Sequence, residues 1–430
     1  MLLRLPNPAS RAAVLFAAFV LALALAFFSV RNALAYHASQ LGTQAGYERA
    51  VRLEPSNALN WYLLGRYWQY SMDQTDPQQA IRDYRISLSL DPLSADTWLD
   101  LATAYDGEED TAHAREAFLA AKRVYPSSAE VSWRYGNFLL REGELDSAYS
   151  EIHHAVELDP KRGTEAFSRS WRASPDLNAI LDKVLPPSKD IYLGAIRELV
   201  VEGQLDPALQ VWSRLVALHP AMSPKEIAPL ANALLQRGRA EDVELLWQQA
   251  VSLMDNPPSD PSGSVIWDGS FESGITGDGL AWQISPARNG VLATLDTAQA
   301  HSGKQSLRLM FTGDDNIEYT GPCHFAVVTP GSAYLFSAWI RTEALTTNEG
   351  VRFRILSFTP SGNQTAETPD VHGSEPWTDI TLPWAAPQGA SIVQVCIVRK
   401  ISGSPDGDIQ GTAWVDDVSL VPLSSQGGKP

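Results

Sequence analysis

Apolar positions fall along this chain in three successive patterns, and each predicts a different kind of element. Ala12–Val30 is an apolar stretch without charge. Its 19 residues, rising 1.5 Å each, make a helix of roughly 28 Å, close to the thickness of a bilayer core. From Tyr36 to Met254 apolar residues recur at spacings of three and four, the mark of helices with one buried face. From Ser264 to Leu423 strand-like runs take over: 307–311, 333–340, 351–355 and 392–398 are rich in aromatic and β-branched residues and are separated by Gly, Pro and Asn. Between the last two patterns, Asn256–Gly263 is a Pro- and Gly-containing linker.

The helical pattern repeats. Leu53-Glu54-Pro55, Leu90-Asp91-Pro92, Val124-Tyr125-Pro126 and Leu158-Asp159-Pro160 end successive segments at spacings of 37, 34 and 34 residues, and Leu218-His219-Pro220 has the same form. Each proline lacks an amide hydrogen and restricts the residue before it, so each stops a helix. Within the units Ala114, Phe118 and Ala121 match Ala148, Ile152 and Ala155, each 34 residues on, and Ala102 matches Gly136. Small residues at 102 and 136 let the paired helix approach, and Phe118 and Ile152 fill the space between them. Hairpins of this kind complete their core only against their neighbours.

These residues resemble the tetratricopeptide repeat family over 43–254. Trp61 to Gly65 with Trp68, Ala80, Tyr84 and Pro92 form one motif with a three-residue insertion; Trp98, Leu101, Ala102, Tyr105, Ala114, Phe118, Ala121 and Pro126 form another. A third, Tyr135 to Pro160, has its aromatic residue, Trp133, displaced by one position. Tyr47, Ala50 and Pro55 match the second half of a preceding repeat. Lys161–Pro187 is either an eroded repeat or a packing insertion, and two helical pairs follow over 191–220 and 227–254. The resemblance implies a helical solenoid that presents a surface to a protein or peptide.

The second resemblance rests on Asp268-Gly269-Ser270-Phe271-Glu272-Ser273-Gly274 with Trp282, His301 to Leu307, Pro330-Gly331 with Tyr334, Trp377, and Trp414 to Leu420. This set resembles carbohydrate-binding modules of families four and nine, within the galactose-binding-like jelly rolls, and covers 264–423. It implies a β-sandwich and one structural calcium ion joining first strand to last. The implied ligands are Glu272 and Asp417 with backbone oxygens near Ser302 and Lys304, a hard-oxygen set suited to that cation. Sugar binding needs aromatic platforms and polar partners. Tyr319, Trp377 and Trp384 are the candidate rings, with Glu318, Arg352, Arg354 and Glu367 as polar groups, and Trp339 and Trp414 are assigned to the core.

The expected organisation is therefore multidomain, α then β: stub and transmembrane helix (1–35), repeats (36–254), linker (255–263), jelly roll (264–423) and tail (424–430). Arg4 and Arg11 precede the apolar stretch, which leaves the following residues outside the cytoplasm. Two outcomes stay open: a retained single-pass anchor in a bacterial inner membrane with the soluble domains in the periplasm, or a signal cleaved after the small-x-small site Ala33-Leu34-Ala35.

A net charge of −17 without a basic stripe argues against nucleic-acid binding. The two cysteines, Cys323 and Cys396, either pair in an oxidising compartment or are buried as small hydrophobes. His113, His153 and His154 form no metal motif, Asp416 and Asp417 are read as strand neighbours facing opposite ways, and no Gly-x-Ser-x-Gly, His-Glu-x-x-His or phosphate-loop motif occurs. The chain reads as a scaffold or adaptor, suited to envelope polysaccharide assembly or export, and not as an enzyme. The alternative is a carbohydrate-binding protein whose repeats are a spacer.

Overall fold

The computed structural model describes residues 8–423 apart from 73, 256, 258–262, 274–276, 278, 284–289, 314 and 406. Arg4, Gly274, most of the expected linker and the 424–430 tail thus lie outside the described residues. The chain forms two compact units, Met1–Pro186 and Pro187–Pro430.

The first unit is helical: α1 (Pro8–Ser39), α2 (Gln44–Leu53), α3 (Ala58–Tyr70), α4 (Pro77–Leu90), α5 (Ala95–Gly107), α6 (Thr111–Val124), α7 (Ala129–Arg141), α8 (Leu145–Leu158), a 3-10 turn (Pro160–Arg162), α9 (Gly163–Ala173) and α10 (Leu177–Lys183). The proline stops hold: α2, α4, α6 and α8 each end two residues before one. Asn57, Asp76, Ser94, Asp110 and Ser128 cap the helices that follow them by accepting from backbone N–H groups. Phe118 and Ile152 are buried at equivalent sites, and Ala102, Ala114, Ala121, Ala148 and Ala155 are fully buried. A side chain at Gly136 would lie 2.7 Å from Ile152, so the small residue there is what admits the partner helix.

Trp61 and Trp98 explain why an aromatic residue recurs. Each indole Nε1 donates to the carbonyl of the preceding stop proline, Pro55 at 2.9 Å and Pro92 at 3.0 Å. Displaced by one, Trp133 does something else: it lies between the guanidinium groups of Arg162 and Arg169, at 5.3 and 5.4 Å. His154 Nε2 meets the Pro126 carbonyl instead, at 3.3 Å. The 161–187 stretch keeps the repeat plan with a shortened second helix, the 7-residue α10.

The apolar stretch is the exposed part of α1, a helix long and apolar enough to cross a membrane. That helix does not stop where the stretch ends. It runs on without a break to Ser39, and Ala35 and Ala38 are buried, with α2 packed so closely that a side chain at Gly46 would lie 2.6 Å from the Ala38 carbonyl. The last turns of α1 thereby supply the missing first helix of the half-repeat.

The second unit begins with α11 (Lys189–Val201), α12 (Leu205–Val216), α13 (Pro224–Gln236) and α14 (Ala240–Ser252), and continues with β1 (Val291–Asp296), β2 (Ser306–Thr312), β3 (Tyr319–Val327), β4 (Ala333–Glu343), β5 (Arg352–Ser357), β6 (Gln364–Glu367), β7 (Thr378–Ala385), β8 (Ile392–Arg399) and β9 (Gln410–Pro422). Two antiparallel sheets form, ordered β1-β2-β9-β4-β7 and β3-β8-β5-β6. Their facing sides share one core, seen in Phe336 of β4 against Phe353 of β5 at 4.8 Å between rings. Cys323 and Cys396 are direct cross-strand partners on β3 and β8 and are joined as a disulfide.

The last helical hairpin is packed on this β-domain. Trp247 of α14 meets Trp267 edge to face, with rings 5.3 Å apart, and the Gly279 amide donates to Asn232 Oδ1 of α13 at 2.9 Å. The expected boundary after Met254 therefore separates segments that belong to one compact unit.

Candidate functional site

The expected calcium residues are brought together by one loop. Glu272 Oε1 accepts from the Lys304 amide at 2.6 Å and from the Gln305 amide at 3.2 Å. Ser302 Oγ donates to Asp417 Oδ1 at 2.7 Å, and His301 Nδ1 lies 2.6 Å from Asp417 Oδ2. Asp416 Oδ2 accepts from the His301 and Ser302 amides at 2.8 and 3.1 Å. Asp416 and Asp417 therefore do not face opposite ways. A register shift of β9 against β4 and a positive φ of 48° at Asp417 turn both carboxylates onto the loop. Burial pushes the Asp416 carboxyl up to about 6, against the pull of its amide donors.

This clamp closes the domain through hydrogen bonds. A calcium ion takes 6–8 oxygens as a rule; here the Ser302 and Lys304 amides and the Ser302 hydroxyl are directed at the carboxylates. Among the described residues no group of three or more His, Cys, Asp or Glu is placed to hold a metal ion. The Asp268–Ser273 motif also has local work. Asp268 accepts from the Ser273 amide at 3.1 Å, and the Trp282 indole donates to the Asp268 carbonyl at 3.0 Å. A side chain at Gly269 would fall 1.8 Å from the Val418 carbonyl, which is why glycine stands there.

The candidate sugar platforms fare unequally. Tyr319 and Trp384 are only 5% and 9% exposed and belong to the core between the sheets, so neither offers an open ring face. Trp384 sits against Tyr334, and burial pushes the Tyr319 hydroxyl up to about 12. Trp377 is half-buried beside His301, edge to face at 5.7 Å. Trp339, expected in the core, is half-buried: His301 stacks on it at 3.9 Å. It alternates with the inward Ala338 and Ile340 and so points to the other side of the sheet. Trp414, also expected in the core, is buried but alternates with the inward Ala413 and Val415, with Arg341 over its ring and its indole bonded to Asp296 at 2.9 Å.

Arg352, Arg354 and Glu367 do come together, on the side of β5 and β6 away from the core. Arg354 Nε is 2.9 Å from Glu367 Oε1 and Lys400 Nζ is 2.5 Å from Oε2. Burial opposes ionisation of Glu367, but Lys400 and Arg354 outweigh it and hold the carboxyl below its usual range. Glu318 is exposed.

Sequence reasoning did not single out a polar network joining the first helices of successive repeats. Tyr62 Oη donates to Asp100 Oδ2 at 3.1 Å, Arg134 Nη1 to Asp100 Oδ1 at 3.0 Å, and Arg169 Nη1 to Asn137 Oδ1 at 3.1 Å. Its signal was available, since Asp100 and Arg134 hold the same position one 34-residue period apart. Beside the network Asn137, Leu140, Arg141, Arg169 and Arg172 line a hollow of about 440 Å³.

No protein-family model matches the chain, and no curated protein matches it. Among solved structures, the CBM22-1 xylan-binding domain from Paenibacillus barcinonensis Xyn10C is 18% identical, covering 38% of this chain and 98% of its own at a TM-score of 0.29. A family 16 carbohydrate-binding module is 15% identical over 36% of this chain and 99% of its own, TM-score 0.28. The tetratricopeptide repeat protein YrrB, described as having an unusual peptide-binding site, is 14% identical over 49% of this chain and 93% of its own, TM-score 0.27. These are partial likenesses of single modules, and neither sugar nor peptide binding follows from them. The carbohydrate-binding modules among them belong to families 16 and 22, where the sequence resemblance pointed to four and nine.

Proposed function

We propose that the chain is a membrane-anchored, non-catalytic scaffold of a bacterial envelope. In this reading α1 spans the inner membrane, the soluble regions lie in the periplasm, and the repeats hold a protein partner, in service of polysaccharide assembly or export. One observation carries it: α1 is a single helix whose exposed apolar part runs directly into a buried part, with Ala35 0% and Ala38 2% exposed. Cleavage after Ala35 would cut a helix within its packed turns and leave only residues 36–39 of it against α2. The Cys323–Cys396 disulfide agrees with an oxidising compartment.

The partner surface in this reading is the face carrying Tyr62, Arg66, Arg134, Arg141 and Arg172. Its arginines, in a chain of net charge −17, favour an acidic segment on the partner. The test combines intact mass of the membrane-extracted protein with photo-crosslinking from positions 66 and 141 in intact cells. A retained residue 12–30 segment and one recurrent crosslinked protein are expected. A mature chain beginning at Tyr36 overturns the anchor, and crosslinking that no position on this face supports overturns the partner surface.

A second reading, a carbohydrate-binding protein on a galactose-binding-like jelly roll with the repeats as spacer, draws on the two-sheet domain and its Arg352–Arg354–Glu367 cluster. A calcium ion at Glu272 and Asp417 enters either reading only as a competitor of the loop 301–305 donors.

A further inference from the structure

The side of the four-stranded sheet turned away from the core is not open along its whole length. Over its β3–β8 end stands α13, and a cleft of about 710 Å³ lies between them. Phe325 of β3, Phe358 just after β5 and Ile392 of β8 form its apolar floor, and the two phenyl rings lie 6.4 Å apart. Asn232 and Gln236 of α13, with Gln283 before β3, add carboxamides to its walls. We infer that this cleft, built jointly by the last helical hairpin and the β-domain, binds a neutral oligosaccharide.

The chemistry of the lining selects that class. Among the described lining residues none is charged, and the polar groups there are mainly carboxamides. Carboxamides both donate and accept, which matches hydroxyl groups that do the same. Ring faces beneath them suit the C–H face of a sugar. The volume falls within the usual span of about 300–1,000 Å³ for small-ligand clefts. A peptide strand adds to a sheet edge through its backbone; here the floor is the outward face of β3 and β8, made by side chains, although β3 is itself an edge strand. Phe358 is 38% exposed, an apolar ring left in solvent at the mouth. The inference rests on the sugar-binding reading of the β-domain but puts the site away from Trp377, and it makes α13 a wall of the site and not a spacer.

The test uses the full chain in lipid nanodiscs free of glycoside detergents, titrated calorimetrically with xylohexaose, cellohexaose and hexagalacturonate. One neutral hexasaccharide should bind. Gln236→Ala and Phe358→Ala should each weaken it about tenfold, the equivalent of one lost buried contact. Ser391→Trp, which fills the cleft, should abolish it, and Trp377→Ala should leave it unchanged. Gln236 is exposed on α13, so its variant keeps the test alive even where Phe358→Ala unfolds. Binding that survives Ser391→Trp and Gln236→Ala but is lost in Trp377→Ala overturns the cleft and keeps the sugar-binding reading. Tighter binding of hexagalacturonate overturns the neutral class. Absence of binding to all three sugars overturns both the cleft and the sugar-binding reading, while leaving the scaffold reading to its own crosslinking test.

Discussion

In the repeats Asp100 meets Arg134 and Arg115 meets Glu144, partners 34 and 29 residues apart. In the β-domain His301 meets Asp416 and Asp417 across separations of 115 and 116 residues, and the disulfide spans 73. The first region is built of neighbours, so a defect stays near where it is made. The second is built of closures, so a defect anywhere along the loop is felt by the whole. This difference also sorts the side chains: in the repeats many residues are not spent on packing, whereas the motif residues of the β-domain are largely consumed in closing it.

The comparison breaks most directly at Phe118. Phe118→Ala should cost the first unit about 3–5 kcal/mol, the range for a large ring deleted from a packed core. Differential scanning calorimetry should show the first unit's transition falling while that of the β-domain stays in place; coincident loss of both would mean the defect does not stay local. Reducing Cys323–Cys396, or replacing Cys396 by Ala, should take about 2–4 kcal/mol from the β-domain, since the crosslink closes a long loop. Near-UV circular dichroism should report that loss with the helical far-UV signal preserved in the first unit.

A pH titration sharpens the contrast further. Burial raises the Asp83 carboxyl to about 6, against the hydrogen bond from Gln79. The folded first unit therefore binds a proton more tightly than the unfolded chain, whose carboxyl keeps its ordinary value near 3.8. Stability should be fully present at low pH and fall as pH rises through that window, with about 1–3 kcal/mol lost by pH 7. Asp83→Asn should flatten this slope; an unchanged slope in urea melts at pH 4.5–7 would assign it to other groups. Trp61→Phe removes one partly exposed hydrogen bond and should cost about 0.5–1.5 kcal/mol in urea melts; an unchanged midpoint would show that the bond to the Pro55 carbonyl adds nothing. Smallest of all is calcium: with the clamp already hydrogen-bonded, chelation should leave the melting temperature of the β-domain where it was. A rise on adding calcium that Asp417→Ala abolishes would instead make the ion a ligand of the clamp.

The repeats were legible because their signals are local. A proline stop, a small residue and an aromatic residue at fixed spacing each carry their own reason, and Phe118, Ile152 and Gly136 sit where that reasoning puts them. Even the displaced Trp133 was visible as an exception, though its partners, Arg162 and Arg169, were not. In the β-domain β2, β4, β5 and β8 were readable from their apolar runs, whereas β7 alternates exposed and half-buried positions until Trp384 and offers little contrast. The turn of Asp416 and Asp417 onto one loop depends on a bulge and a positive φ, which no spacing rule contains. The continuity of α1 was hidden for a related reason: an apolar stretch and a repeat look like separate segments until the residues between them, 31–39, are seen to remain helical.

That continuity has a mechanical side. A flexible tether lets an attached domain roam at any height and heading, but α1 has no joint between its apolar stretch and the turns that pack on α2. From Val30 to Ser39 the helix rises only about 14 Å, so with its apolar stretch in a bilayer the first repeat rides just above the lipid headgroups. On the proposed anchored reading, a change in the tilt or roll of the apolar part is carried into the repeat as a lever carries motion, and a partner of the first repeat has to come down to the membrane surface to be reached.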